Sequence, residues 1–193
     1  MGKIKVITNL TLDGVMQSPA RAEEDPRDGF KHGGWAAPFG AMQQPEAGEA
    51  FADMGALLFG RWTYESFFAF WPNQTDNQFT EFFNNITKFV VSTTLDEPLG
   101  WSNSTLIKTD VSQTLARLKA EREDNFLVFG SGVLVQSLMR WHLVDDLTLL
   151  IHPLILGSGR RLFPSDDLSA NLQLRDAKPT SNGVVVLTYQ PEQ

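Results

Sequence analysis

The sequence predicts an α/β fold: a mostly parallel central sheet with helices on both faces and antiparallel strands at one edge. Two observations carry this. Short apolar runs alternate with segments whose apolar residues recur at helical spacing through most of the chain. Near the C-terminus, two β-like runs at 171–177 and 184–189 flank Asn182-Gly183, a strong hairpin signal. A length of 193 residues with 42% hydrophobic content suits one domain, 1–193, large enough to bury a core. No internal repeat, low-complexity segment or linker divides it.

Ile4 and Val6 mark a first strand over 3–9. Residues 14–45 are rich in Gly, Pro and charge without a sustained period, and read as a long surface loop of the kind that often carries function. Ala47, Ala50, Phe51 and Met54 are spaced for one helix face. Ala56-Leu57-Leu58-Phe59 reads as a buried strand ending at Gly60. Thr63 is placed to N-cap a helix carrying Phe67, Phe68 and Phe70, which Pro72 stops. A further helix is expected near 76–84, then strands at 87–92 and 105–108. Asp110 and Gln113 form a capping-box pattern ahead of a helix face of Val111, Leu115 and Leu118. Strand 126–129 runs into Gly130-Ser131-Gly132 and a helix to about 140, with Val133, Leu134, Leu138 and Trp141 on one side. Asp145 to Ile151 is a strand.

Composition excludes several functions. The net charge is −7 and no basic run exists, so nucleic-acid binding is not expected. With no cysteine, disulfides, thiolate metal sites and Cys nucleophiles are absent. His32, His142 and His152 are scattered, and no metal site is expected. No apolar run approaches membrane-spanning length, and the alternating Lys3, Ile4, Lys5, Val6 start is unlike a signal peptide. A cytoplasmic protein without membrane partners is the expectation.

Ligands of open α/β sheets bind beyond the carboxyl ends of strands. Three such ends hold small or hydroxyl residues: Gly60-Arg61-Trp62-Thr63, Ser92-Thr93-Thr94 and Gly130-Ser131-Gly132. Two lead directly into helices, whose free N–H groups favour an anion. A tight turn accounts for each as well as a phosphate seat does. Arg61 is a solvated charge or a phosphate ligand, and Asp13 is a turn-forming Asp-Gly or an acid. Trp35, in the Gly-Gly-Trp loop, is the tryptophan expected nearest a ligand.

The order of these motifs resembles a known family. Gly60-Arg61-x-Thr63-x-Glu65 looks like the G-R-x-T-x-E stretch of the dihydrofolate reductase superfamily. Thr11-Leu12-Asp13-Gly14 is similar to the S-x-D-G of the reductase domain of riboflavin biosynthesis, the RibD C-terminal domain. Phe129-Gly130-Ser131-Gly132 resembles the glycine turn under the cofactor pyrophosphate, and the run from His152 to Phe163 resembles the P-x-L-L-G-x-G-x-x-L-F segment of the same branch. The resemblance implies a dihydrofolate reductase-like three-layer αβα sandwich and an NADPH-dependent oxidoreductase acting on a small heterocyclic or ribosylamino-pyrimidine-like molecule. It implies a homodimer. It also implies that Gly60, Arg61 and Thr63 meet the cofactor phosphates, with Arg61 on the adenosine 2′-phosphate. Ser92 and Thr93 would hydrogen-bond the adenosine side, and Gly130, Ser131, Gly132, Val133 and Leu134 would offer N–H groups to the pyrophosphate. Asp13 is the implied catalytic residue, assisting protonation or orienting the substrate. Two other readings of the same resemblance are a nucleotide-binding module without turnover and a folate reductase, which would take its acid from Glu46 or Glu49.

Overall fold

A computed structural model describes residues 1–40, 53–75, 77, 79–164 and 168–192. Glu46, Glu49 and most of the expected helix 47–54 lie outside the described residues; Met54 itself opens a strand.

Among the described residues, eight strands form one sheet. In chain order they are β1 (Ile4–Thr11), β2 (Met54–Gly60), β3 (Thr87–Val91), β4 (Ser104–Ile107), β5 (Asn125–Phe129), β6 (Asp146–His152), β7 (Leu172–Pro179) and β8 (Val185–Pro191). Their spatial order is β4-β3-β2-β5-β1-β6-β8-β7. The first six pair in parallel, while β8 runs antiparallel to both β6 and β7. The expected edge hairpin therefore forms. Thr180 accepts the N–H of Gly183 (3.1 Å), and Gly183 takes a φ of 87° that a β-branched residue would resist.

Among the described residues, four α-helices cover the sheet: α1 (Arg61–Phe70), α2 (Thr80–Asn85), α3 (Val111–Glu121) and α4 (Gly132–Arg140). Strand alternation divides the core between two faces. Ala56, Leu58, Phe126 and Val128 pack with Leu115 of α3 and Leu134, Val135 and Leu138 of α4. Leu57, Phe59 and Leu127 pack on the opposite face with Tyr64 of α1, Phe83 of α2 and Trp101. This is the three-layer αβα arrangement. Among the described residues, no helix is long and apolar enough to cross a membrane.

Local details depart from the sequence expectations. Helix α1 begins at Arg61 with Gly60 as N-cap, so Thr63 lies inside the first turn and cannot cap it. The Asp110–Gln113 capping box does not form: Asp110 takes a left-handed φ of 48° to turn the chain from β4 into α3, and its carboxylate makes no capping bond. The buried stripe of α4 is Leu134, Val135, Leu138 and Met139. Val133 is 72% exposed and Trp141 is at the surface margin, because the helix starts right at the glycine turn and rotates Val133 outward.

Where it is described, the aperiodic segment after β1 is a loop with two short 3-10 turns and many exposed residues, but part of it is built into the interior. Gln17, Ser18, Asp25, Trp35 and Ala36 are buried. Gln17 organises it. Its Nε2 donates to the carbonyls of Asp25 (3.1 Å) and Arg27 (3.0 Å), and its Oε1 accepts the N–H of Arg160 (2.9 Å). Side-chain amides replace the ladder that a regular element would supply, so no period marks the segment.

Candidate active site

Strands β3, β2 and β5 are adjacent and parallel, so the three suggestive turns lie side by side at one sheet edge. They open onto a cleft of about 1390 Å³. Gly60, Arg61, Thr63, Ser92, Thr93, Gly130, Ser131, Gly132, Val133 and Leu134 all line it.

The turns are tied to one another. Ser131 Oγ accepts the N–H of Gly60 (3.1 Å), and Thr63 Oγ1 accepts the N–H of Ser131 (3.2 Å). Gly130 and Ser131 both have φ near 50°. For Gly130 that conformation is free of Cβ strain, and it turns the chain sharply enough to start α4 at Gly132. Helices α1 and α4 have no side-chain cap at either start. Their first-turn N–H groups have no intrahelical acceptor and carry the positive end of the helix dipole. Both starts border the same cleft.

Arg61 sits at the rim. Its Nε donates to Glu65 (3.0 Å) and its Nη1 to Thr94 Oγ1 (2.8 Å), which lays the guanidinium beside the β3 turn. Buried Ser92 accepts the N–H groups of Thr94 and Leu95, both at 3.2 Å. Its hydroxyl shapes this turn, and Thr93 is exposed. Two helix starts, a guanidinium and a set of hydroxyls fit a dinucleotide with several phosphates.

Asp13 is not among the residues lining the cleft. Its carboxylate accepts from Thr11 Oγ1 (2.6 Å), Gly157 N (2.8 Å) and Leu156 N (3.2 Å), and pairs with Arg161 (3.4 Å). The Thr11 hydroxyl foremost, then the two backbone N–H groups, draw its pKa down to about 2 against the opposing effect of burial. Such a group is ionised at neutral pH and fixes the 156–157 turn against the end of β1. Trp35 also lies off the cleft, buried with its indole N–H on Gln17 O (2.7 Å).

Sequence reasoning missed half of the cleft wall. Met16, Arg21, Glu24 and Arg27 reach it from the aperiodic segment, and Phe67, Phe70, Trp71 and Phe129 supply an aromatic side. Burial raises the Glu24 pKa, opposed by the N–H groups of Ala20 and Arg21 on its carboxylate. The one available signal was aromatic density along α1, which buries only Tyr64 fully and places Trp62, Phe67 and Phe70 along the cleft. Among the described residues, no three His, Cys, Asp or Glu side chains gather as a metal site requires.

A family model described as the RibD C-terminal domain matches residues 3–186. The chain belongs to the RibD C-terminal domain family. This RibD C-terminal domain protein is similar to YyaP of Bacillus subtilis (strain 168), 24% identical over 84% of this chain and 88% of YyaP. A pyrimidine reductase-like protein from Corynebacterium diphtheriae has a related structure, with TM-score 0.64 and 13% identity over 100% of this chain and 92% of that one. Dihydrofolate reductase from Enterococcus faecalis, solved with NADP(H) and RAB-propyl, aligns with TM-score 0.60 and 17% identity over 100% and 98% of the two chains. At these identities the structures establish the dihydrofolate reductase-like fold.

Proposed function

We propose that this protein is an NADPH-dependent reductase that delivers a hydride to a small heterocyclic, ribosylamino-pyrimidine-like substrate. The observation that supports this best is the meeting of two uncapped helix starts in one cleft with Arg61 at its rim. The N–H groups of Gly132, Val133 and Leu134 and the start of α1 with Thr63 would hold the pyrophosphate. Arg61, with Thr93 and Thr94 beside it, would hold the 2′-phosphate that separates NADPH from NADH. Bound there, the reduced nicotinamide would supply a hydride to a C=N or C=O carbon. Phe67, Phe70, Trp71 and Phe129 form the wall that would exclude water from that region. Asp13 has no proton to give at neutral pH, so its role in this reading is positioning: it holds the 156–157 turn. The reading includes a homodimer, for which the open edge of β7, with Leu174 half exposed, is a suitable surface.

The test is a titration with NADPH and NADH, followed by tryptophan quenching, in the wild type and Arg61→Ala. Charge-assisted phosphate contacts contribute about 1.5–3 kcal/mol, so NADPH affinity falls roughly 10- to 100-fold while NADH affinity holds. Equal affinities in the wild type, or binding of neither, overturn the assignment. Binding without oxidation of NADPH by any pterin, pyrimidine or quinoid acceptor would leave a nucleotide-binding module.

A further inference from the structure

Five arginines line the cleft: Arg21, Arg27, Arg61, Arg160 and Arg161. Four are neutralised. Arg27 pairs with Asp25 (2.5 Å), Arg61 with Glu65 (3.0 Å), Arg160 with Asp28 (2.8 Å) and Arg161 with Asp13 (3.4 Å). Arg21 has no carboxylate at ion-pair distance among the described residues. Its charge acts on the carboxylate of Glu24, but Glu24 Oε2 takes the main-chain N–H groups of Ala20 and Arg21 and forms no ion pair with the guanidinium.

The guanidinium is nevertheless held in place. Nη2 donates to Ser66 Oγ (2.9 Å) and more weakly to Ser66 O (3.4 Å), and the group stacks 4.2 Å from the ring centre of Phe70. Stacking fixes its plane, and among the described residues its other N–H groups make no hydrogen bond while the residue lines the cleft. A cation immobilised by neutral groups at a cavity wall is prepared for an anion from outside the chain.

Its place in the cleft says which anion. Ser66 and Phe70 lie three and seven residues beyond Thr63 on α1, about 4.5 and 10 Å along the helix from the phosphate-binding turns. Arg21 therefore faces the aromatic half of the cleft, away from the cofactor phosphates. Resting on the reductase reading, we infer that Arg21 is the specificity residue for the substrate: the ligand has a planar, apolar body against Phe67, Phe70 and Trp71, and an anionic substituent that Arg21 grips.

The test uses a matched probe pair, naphthoate and naphthamide, titrated by calorimetry into NADPH-saturated wild type, Arg21→Met and Arg21→Lys. The wild type should bind naphthoate at least tenfold more tightly than the amide. Arg21→Met should abolish that preference, and Arg21→Lys should keep part of it. NADPH affinity, measured separately, should be unchanged in both variants, which also reports that they fold. Equal binding of the two probes, binding of neither, or a preference that survives in Arg21→Met overturns the inference. Naphthoate preference in a protein that fails to bind NADPH would sink the reductase reading and leave the anion site standing.

Discussion

At the residue scale, Asp13 and Arg161 show how a charge beside the cleft can serve structure. The carboxylate of Asp13 closes the β1 end against the 156–157 turn through three hydrogen bonds and an ion pair. Asp13→Asn removes the charge from all four contacts and should destabilise the fold by about 1–3 kcal/mol at pH 7. Its folded pKa, about 2, lies below the ordinary 3.8. The stabilisation is therefore complete above about pH 4 and fades as pH falls toward 2. Urea denaturation at pH 7 and pH 3 should show the gap between wild type and variant narrowing in acid. A constant gap would mean that the carboxylate charge contributes nothing. Residue identity was legible in the sequence where a motif surrounded it: Gly60, Arg61 and Gly130 fall where the spacing put them. Arg21 was not legible, because its role depends on Ser66 and Phe70, more than forty positions away in an unrelated element.

At the element scale, two glycines near the cleft separate flexible from rigid packing. A methyl group at Gly132 would come within 2.5 Å of Met16 Sδ, the end of an unbranched side chain that can swing aside. At Gly159 it would meet Val15 Cγ1 at 2.7 Å and Phe30 at 2.6 Å, on a backbone with φ of 115°. Gly159→Ala should therefore cost about 2–4 kcal/mol, whereas Gly132→Ala should change stability by less than about 1 kcal/mol. Gly132→Ala should instead weaken NADPH binding, since it alters the start of α4. Thermal melts and nucleotide titrations of the pair check both; a large melt shift in Gly132→Ala would show that Met16 cannot move. Element order could be read from alternating apolar periods, and boundaries came within a few residues. Caps could not be read, because a capping box competes with the turn geometry that Asp110 adopts.

At the scale of the molecule, His152 joins β6, β1 and the segment after β1. It is fully buried, shares a hydrogen bond with Asn9 (2.9 Å), and packs edge-on against Trp35 and Phe39. Its Nδ1 has no partner, and burial lowers its pKa to about 4. The folded protein holds it neutral while the unfolded chain takes up a proton below about pH 6.5. Stability should thus be full at pH 7 and decline as pH drops from 6.5 toward 4, lowering the melting temperature by several degrees at pH 5. His152→Gln should flatten that decline; an NMR titration of His152 with a midpoint near 6.5 would contradict the assignment. The global fold was legible because strand–helix alternation constrains a parallel sheet. The cleft's second wall was not, because amide and carbonyl contacts of Gln17 leave no periodic trace.

Strand β1 is flanked by β5 and β6, with Ile4 opposite Phe126 and Lys5 opposite Asp146. Strand β1 thus lies in the interior of the sheet, and both of its neighbours follow it by more than a hundred residues. Until then β1 exposes two unpaired edges and an apolar face. During synthesis the chain must shield that strand, and the sheet closes around it only once β5 and β6 have been made, in a largely non-local step.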